Sequence, residues 1–463
     1  MDALPSEGLP PGWAYAPLGE VLPLQYGKAL AADLRNEAGI VPVYGSAGRT
    51  GTHDQALTHG PTIIVGRKGN AGAVHLVEQP CWPIDTVYYT NDLGVLDLRL
   101  AAYLLEYVRL DKLDQSTAVP SLSRDVYSRV VVPIAPRAEQ ARIVAAVNAL
   151  FEEVEAGQAA LTRAREGLTQ FRASLLHAAC TGALTADWRA TNSPAETGAD
   201  LLCRTASSAR SQEVARLWEA PATWAWTNVG SAGQVDLGRQ RAPQHHEGPH
   251  MRPYLRVANV MEDRLDLRDV KWMNFDPAEF THYSLRPGDI LLNEGQSPDL
   301  IGRPAIYNGE IDGCCFQKTL LRFRAGPCCT TDFAQIVFLH YLHAGEFRKL
   351  APITTNMAHL TRVRFVEMPF PVPPLEEQEA IVVAVRSAFD AMSAESLAAV
   401  GEPVPALRQS ILHAAFTGRL VPQDPADEPA AALLARLHAT PAAARRPRAR
   451  RTATQPDLIE TPA

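Results

Sequence analysis

Apolar residues recur in alternating steps of four and three along a stretch of the chain that begins after Pro136. This spacing is typical of a coiled-coil seam, in which one stripe of a helix packs against a partner helix. No proline occurs between residues 137 and 180, and Gly182 follows. The stretch therefore predicts one helix of about 65 Å that ends at a glycine. The seam consists of Ile143, Val147, Leu150, Val154, Gly157, Leu161, Ala164, Leu168, Phe171, Leu175 and Ala178.

A second stretch, after Pro374, has related spacing but is interrupted by Gly401, Pro403 and Pro405. Proline inside a helix removes a hydrogen bond and clashes with the preceding turn, so we expect a kink or a break near 401–405. We predict that the two helices pack on each other; the alternative is two separate core helices. The second seam consists of Ile381, Val385, Ala388, Met392, Leu397, Val400, Leu407, Ile411 and Ala414.

Short β-prone runs separated by turn residues precede each helical stretch. The run "TIIVGRKGNAGAVHLV" (62–77) predicts a strand, a glycine turn and a strand, and "LAAYLLEYV" (100–108) predicts a short helix. Residues 286–325 and 333–350 repeat this order with different side chains. We therefore predict two β-rich modules that share a scaffold and differ in surface.

The chain is one long unit written twice. Glu139 and Gln140 in "PRAEQARIV" match Glu377 and Gln378 in "PLEEQEAIV" at an offset of 238, and Trp13 matches Trp224 at an offset of 211. A period this long indicates duplication of a whole domain with its connector. The predicted segments are a first recognition module (1–135), a first connector helix with a linker (136–210), a second module (211–373), a second connector helix (374–440) and a basic disordered tail (441–463).

Composition limits the setting in which the chain acts. Its seven cysteines are odd in number and scattered, which suits a reducing compartment. The N-terminal residues lack the basic and apolar regions of a signal peptide, and no run reaches the ~20 apolar residues of a membrane helix. We therefore expect a cytoplasmic protein. The net charge of −7 means that any nucleic-acid surface must be local.

A search for catalytic motifs finds neither a GxxxxGK[ST] phosphate loop nor a GxGxxG turn. The loop "GRKGNAG" (66–72) lies between two predicted strands. It is open to three interpretations: a nucleotide loop, a hairpin that approaches a phosphate backbone, or a solvated turn. The pairs Cys314–Cys315 and Cys328–Cys329 favour burial over a zinc site, because adjacent strand residues point to opposite faces. We expect no catalytic residue and no metal site.

Several stretches together resemble the specificity subunit of type I restriction–modification enzymes. They are "PVYGSAGRTGTHDQAL", "GPTIIVGRKGNAGAVHLV", "QSTAVPSLSRDVYSRVVVPIAPRAEQARIV", "GDILLNEG" with "IGRPAI", and "TTNMAHLTRVRFVEMPFPVPPLEEQEAIV". The resemblance runs from Trp13 to about Leu437. It implies an α+β fold of two target-recognition domains in a pseudo-twofold repeat. Two long helices join these domains and pack as an antiparallel coiled coil.

The same resemblance implies a function. Each domain would read half of a bipartite, gapped DNA site, and the subunit would bridge two methyltransferase subunits and two restriction subunits without catalysing a reaction. The chain itself would bind no cofactor. S-adenosylmethionine would belong to the methyltransferase subunits, and ATP and Mg would belong to the restriction subunits.

Candidate DNA contacts are polar or cationic side chains on loops, because such groups bind phosphates and base edges. The loops "STAVPSLSR" and "TTNMAHLTR" are included because the resemblance places them against DNA. Each candidate could equally be an ordinary surface residue. The candidates are Lys28, Ser46, Arg49, Arg67, Lys68, Asn70, Thr117, Ser121, Gln240, Arg241, Arg256, Asn259, Gln296, Ser297, Arg303, Thr355 and Asn356.

Two other function classes compete with this interpretation. One is a single-chain methyltransferase or nuclease, which the missing motifs disfavour and which labelled cofactor would test. The other is a coiled-coil scaffold that binds only protein, which a gel shift with duplex DNA would separate. An equivalent subunit of a related phage-defence system is a variant of the main interpretation.

Overall fold

The computed structural model describes residues 8–91, 94–113, 120–205, 214–350, 353–354, 357–392 and 404–439. The chain forms two compact units. Unit 1 contains residues 1–161 and 399–463, and unit 2 contains residues 162–398. The boundaries of these units differ from those of the five segments predicted above. The end of the first repeat lies in unit 2, and the end of the second repeat lies in unit 1. No helix in the described ranges is long and apolar enough to cross a membrane.

Helices occur in both units. They are α1 (Leu18–Val21), α2 (Leu98–Val108), α3 (Arg124–Arg129), α4 (Arg137–Thr181), α5 (Ala186–Thr191), α6 (Gly198–Thr205), α7 (Val229–Ala232), α8 (Pro277–Tyr283), α9 (Thr331–His343), α10 (Glu346–Leu350), α11 (Arg362–Val366), α12 (Leu375–Ala391), α13 (Val404–Phe416) and α14 (Ala430–Ala439).

The strands are short. Those of unit 1 are β1 (Ala14–Pro17), β2 (Gln25–Tyr26), β3 (Val41–Gly45), β4 (Gly48–His53), β5 (Thr62–Gly66), β6 (Val74–Val77), β7 (Trp82–Pro83), β8 (Val87–Thr90) and β9 (Val131–Ile134). Those of unit 2 are β10 (Ala225–Asn228), β11 (Gly233–Leu237), β12 (Met251–Leu255), β13 (Val260–Met261), β14 (Arg264–Leu265), β15 (Lys271–Asn274), β16 (Asp289–Asn293), β17 (Gly295–Gln296), β18 (Pro304–Tyr307), β19 (Cys315–Phe316), β20 (Leu320–Ala325), β21 (Ile353–Thr354), β22 (Met357–His359) and β23 (Pro369–Val372).

The two modules share one topology. A four-stranded sheet has the order β2-β8-β5-β6 in unit 1 and β11-β20-β16-β18 in unit 2. A three-stranded sheet has the order β4-β3-β7 in unit 1 and β15-β12-β19 in unit 2, with one parallel pair in each. The pairs β1-β9 and β10-β23 close the modules in the same register. The predicted α+β architecture of two similar modules is confirmed.

Part of the extra length of the second repeat lies in one hairpin. In unit 1, only Ser46 and Ala47 separate β3 from β4. In unit 2, residues 256–270 separate the matching strands β12 and β15, and this segment contains β13 and β14. The inserted hairpin packs on β18 and β16. This insertion lengthens one loop region of module 2 and leaves the sheet order unchanged.

The first connector is one continuous helix, as predicted. Helix α4 runs over 45 residues, and Gly182 then takes a left-handed φ of 78°. In unit 1, Arg408 of α13 lies over the Phe151 ring at 3.8 Å, and further along α13 Phe416 joins the cluster around Ile143. In unit 1, α13 therefore runs antiparallel to the first half of α4.

Unit 2 has the same arrangement with α12. Arg172 of α4 lies over the Phe389 ring at 4.3 Å, and Glu377, nearer the start of α12, accepts a hydrogen bond from Thr185 beyond the end of α4. The order along the two helices is thus reversed here too. Two residues of the predicted interruption, Gly401 and Pro403, lie outside the described residues. The third, Pro405, lies in the first turn of α13. Backbone N–H groups in the first turn have no acceptor within the helix, so a proline there removes no helical hydrogen bond.

The repeated glutamates have a structural role. Glu139 is 1 % exposed and accepts a hydrogen bond from the Trp13 indole (Nε1–Oε2, 3.0 Å). Glu377 is fully buried and accepts the same bond from Trp224 (2.9 Å). A buried carboxylate needs such donors, because an unpaired buried charge is costly. Tryptophan and glutamate, 126 and 153 residues apart, therefore fix the start of each module to the start of its connector helix.

The repeated glutamines, Gln140 and Gln378, also connect each connector helix to its module. The Oε1 atom of Gln140 accepts the backbone N–H of Asp97 at 2.9 Å, where α2 begins. The Oε1 atom of Gln378 accepts the backbone N–H of Thr330 at 2.8 Å, where α9 begins. Each side-chain amide donates to two backbone carbonyls of its own module. The "EQ" pair thus ties each connector helix to the module that precedes it.

Each unit is completed by the end of the other repeat. In unit 2, the backbone N–H of Gly198 donates to Thr223 O, directly before Trp224. In unit 1, the backbone N–H of Ala430 donates to Gly12 O, directly before Trp13. Helices α6 and α14, which follow the two connectors, are therefore counterparts. Unit 1 is built from both ends of the chain.

A buried histidine gives unit 2 a pH-dependent stability. His340 packs against Trp218 and His177, and burial lowers the pKa of His340 to about 4, with small contributions from His177 and His343. The unfolded chain binds this proton near pH 6.5, whereas the folded chain does not. Stability is therefore lost as pH falls from about 6.5 to about 4, by at most about 3 kcal/mol.

We expect the His340→Leu variant to lose this part of the pH dependence. Urea unfolding followed by tryptophan fluorescence, at several values of pH, would measure it. The exposed His246 offers a matched control, since His246→Leu should keep the slope of the unchanged chain. Equal slopes for all three proteins would contradict the assignment.

Candidate nucleic-acid interface

Four loops of module 1 meet on one face, which we call loop face 1: residues 26–28, 46–49, 66–72 and 120–124. Lys68 and Ser121 form an isolated antiparallel bridge, and Gly69 N donates to Pro120 O at 3.0 Å. The β3–β4 turn adjoins the same loop, because a side chain at Gly69 would begin 3.6 Å from the Ser46 hydroxyl. Sequence-distant candidates are thus brought together.

The cations of loop face 1 are unpaired by carboxylates. Lys28, Arg49 and Lys68 are exposed, and Arg67 is half-buried. Lys28 lies 5.6 Å from the Trp82 ring centre, and Arg67 donates to the Asp85 carbonyl at 2.9 Å. Among the described residues none of these four side chains forms an ion pair. The face therefore has a local positive potential in a chain that is negative overall.

An aromatic ring stands at the centre of these cations. Tyr26 is 49 % exposed, and the guanidinium groups of Arg67 and Arg124 lie 5.2 and 5.0 Å from its ring centre. Cation–π attraction, about 0.5–1 kcal/mol at exposed sites, favours this position for both arginines. Tyr26 and Arg124 were not among the residues predicted from the sequence. Their signal was weak because one lies in a two-residue strand and the other begins a short helix.

Module 2 has the matching face with different chemistry. Loop face 2 consists of residues 237–241, 293–297 and 357–362. Gly295 and Gln296 pair with His359 and Ala358, and Leu360 N donates to Glu294 O, just as Leu122 N donates to Arg67 O in module 1. Glu294 therefore occupies the place of Arg67. Its carboxylate lies 3.6 Å from the His359 ring nitrogen.

The remaining candidates of module 2 divide into exposed and committed groups. Gln240 and Arg241 are exposed, and Gln240 accepts a bond from Lys318 at 3.4 Å. Gln296 and Ser297 are half-buried, with Ser297 N donating to the Gln296 side chain. Arg256 is half-buried and pairs with Asp269 at 2.5 Å. These five side chains lie at or beside loop face 2. In module 1, Asn70 is exposed on the 66–72 loop.

One predicted contact, Asn259, is committed elsewhere in the structure, and another, Arg303, is partly buried. Asn259 is 1 % exposed, and its amide nitrogen donates to Asp266 O and Asp269 O while its oxygen accepts Arg256 N. It organises the inserted hairpin and is not available to DNA. Arg303 is partly buried, and burial lowers the pKa of Arg303. Glu262 and Arg264 shift this pKa in opposite directions, and the Arg303 carbonyl accepts the backbone N–H of Asn293 in loop face 2. Thr117, Thr355 and Asn356 lie outside the described residues.

The cysteine pairs are buried among apolar groups. Cys314, Cys315 and Cys328 are 0–1 % exposed, and burial raises the pKa of the Cys314 and Cys315 thiols to about 12. Thiols with raised pKa are poor metal ligands, since metals bind the thiolate. Within the described ranges no three His, Cys, Asp or Glu side chains converge as a metal site would require.

Comparison with known proteins gives the fold and the two loop faces a context. Residues 10–162, which include every strand of module 1, match the family described as type I restriction modification DNA specificity domain. The family match over module 1 and the curated specificity subunits that align with most of the chain support a type I restriction–modification specificity subunit. A subunit of this kind implies DNA binding and assembly with other subunits of the system, and such subunits are generally non-catalytic.

Curated relatives match across both modules. The chain is 27 % identical over 350 residues to the type I restriction enzyme StySPI specificity subunit of Salmonella potsdam, covering 72 % of this chain and 68 % of the relative. It is 22 % identical over 360 residues to the EcoKI specificity subunit of Escherichia coli K12, covering 72 % and 69 %.

Solved structures share the fold of this specificity subunit. A chain from a study of complex assembly and conformational transition of the type I R-M system aligns with a TM-score of 0.60 and 19 % identity. That alignment covers 89 % of this chain and all of the other. The HsdS subunit from Thermoanaerobacter tengcongensis aligns with a TM-score of 0.51 and 18 % identity, covering 90 % and 99 %.

Proposed function

We propose that each module of this specificity subunit reads one half of a bipartite, gapped DNA site, and that the two halves differ in sequence. The observation that carries the proposal is the contrast at matched positions. Where loop face 1 presents Arg67 and Lys68, loop face 2 presents Glu294 and Gly295 on the same scaffold. Arginine and lysine favour guanine edges, whereas glutamate accepts from cytosine, so identical half-sites would not suit both faces.

The proposed assembly supplies the chemistry that this chain lacks. The chain docks two methyltransferase subunits, which bind S-adenosylmethionine, and two restriction subunits, which use ATP and Mg. It is itself non-catalytic, which agrees with the missing phosphate-loop and dinucleotide motifs in its sequence. The assembly acts in the cytoplasm, where host DNA and these cofactors are present.

Methylome sequencing of cells that carry the system tests the proposal. We expect an asymmetric motif with a gap, and a palindromic or ungapped motif would contradict it. Variants then assign the halves. Lys68→Ala should relax or weaken one half-site and Gln296→Ala the other, each by about ten-fold or more where a base contact is lost. Arg163→Ala, an exposed cation on α4, is the control and should leave both halves unchanged.

A further inference from the structure

Module 2 has an exposed tryptophan in a cationic pocket, and the described residues of module 1 contain no counterpart. Trp272, the second residue of β15, is 59 % exposed and lines a concave pocket of about 530 Å³. The strand register places Trp272 where module 1 has Thr52, whose hydroxyl donates to Asn36 O and Glu37 O. The pocket is lined in addition by Arg241, His246, Arg256, Lys271 and Gln317.

The charges of the pocket are fixed and unbalanced. Asp269 pairs with Arg256 through one carboxylate oxygen (2.5 Å) and with Lys271 through the other (2.7 Å). A single carboxylate therefore holds two cations at a set spacing. Arg241 is exposed and has no carboxylate within 4 Å among the described residues. Three cations thus face one anion, and the surplus positive charge remains for a ligand.

The pocket is structurally continuous with loop face 2. Gln317 N donates to Leu255 O at 2.9 Å, at the end of β12. Thr319 then joins two segments: its hydroxyl accepts Val257 N at 3.2 Å, next to Arg256, and its carbonyl accepts Glu294 N at 2.9 Å. The pocket and the loop that begins at Glu294 are therefore both held by residues 317–319.

The ligand that fits this chemistry is the backbone of a nucleic acid. Phosphates are bound by arginine and lysine without regard to sequence, and such contacts position a protein on its duplex. An indole offers a broad apolar face beside them, suited to the carbon face of a deoxyribose. A protein partner would instead need a surplus of carboxylates to match three cations.

We propose that this pocket grips one strand of duplex DNA beside the half-site of module 2. Arg241, Arg256 and Lys271 bind its phosphates, and the indole of Trp272 packs on the adjacent sugar. The inference rests on the proposed DNA-binding function. It makes Trp272 a positioning residue that contributes affinity and no base discrimination.

The test uses the chain in complex with its methyltransferase subunits. The probes are two 40-bp duplexes, one carrying the motif found by methylome sequencing and one without it. We expect Trp272→Ala to raise Kd about ten-fold on both duplexes, while the methylated motif stays the same. Trp272→Phe should recover most of the affinity. Arg241→Ala should lower the slope of log K against log salt by about 0.9, the value for one phosphate contact. Val383→Ala, an exposed apolar residue on α12, is the control.

Three results would overturn the inference. Unchanged affinity of Trp272→Ala for both duplexes would show that the pocket does not contribute to DNA binding. A loss confined to the motif duplex, or an altered motif, would assign Trp272 to base recognition. Loss of methyltransferase subunits from the purified complex would assign the pocket to a protein interface. In each case the unchanged complex still binds its gapped motif, whereas failure of the proposed function would abolish that binding or that motif in the unchanged complex.

Discussion

Replacing Glu377 with glutamine should destabilise unit 2 by about 3 kcal/mol, because the change breaks a buried ion pair. The Glu377 carboxylate is fully buried and accepts from Trp224 (2.9 Å), Thr185 (2.7 Å) and Arg189. A glutamine offers one acceptor oxygen and turns its NH₂ toward groups that are themselves donors. Arg189, whose side chain is 19 % exposed, loses its only carboxylate partner among the described residues.

Urea unfolding followed by tryptophan fluorescence would measure this loss, since Trp224 touches the altered group. The neighbouring Glu376 is exposed and provides a matched control, so Glu376→Gln should change stability by less than about 0.5 kcal/mol. The counterpart Glu139→Gln should cost less, about 1–2 kcal/mol, because Glu139 accepts from the neutral Trp13 and Gln423. Equal effects at 376 and 377 would refute the assigned role.

Inserting four residues after Gly157 should widen the gap in the methylated motif by one or two base pairs and leave both half-sites unchanged. Helix α4 is continuous through this point, and each added residue lengthens it by ~1.5 Å, so four residues add ~6 Å. A base pair occupies ~3.4 Å of the duplex axis. Four residues make slightly more than one helical turn of 3.6 residues, so the packed face is roughly kept.

Methylome sequencing of the insertion strain gives the gap directly. Gly157→Ala without an insertion is the control; a side chain there meets open space, and the gap should stay the same. Efficient methylation with an unchanged gap in the insertion strain would mean that α4 is only a brace and does not set the spacing.

The duplication and the long helix were predictable from sequence because both depend on local, repeated patterns. The steps of three and four predicted α4, and the structure confirms it from Arg137 to Thr181. The repeated "EQ" pair was visible as well, but its role was not. Trp13, the partner of Glu139, lies 126 residues away, and Asp97, the partner of Gln140, lies 43 residues away. Contacts between residues so far apart cannot be predicted from a local sequence pattern.

The candidate contacts were less predictable, since residue type does not fix exposure. Asn259 has the chemistry of a base-reading side chain, yet its amide is used within the inserted hairpin. Trp272 is a large apolar residue, yet its side chain on the edge strand β15 is 59 % exposed. Loop residues 66–72 were correctly placed between two strands, because glycine turns are locally encoded.

The closure of unit 1 by residues 404–439 sets the order in which the chain folds as it leaves the ribosome. Unit 2 needs only residues 162–398, so all of it has been synthesised before helix α13 is made. Unit 1 is complete only after Ala430 forms its hydrogen bond to Gly12 and Phe416 packs into the core. At ~5–20 residues per second, the N-terminal module remains open for roughly a quarter of a minute to a minute after its own residues are translated. This chain therefore finishes its first half last, and a nascent chain that stalls before residue 404 exposes an incomplete core for chaperones and proteases to find.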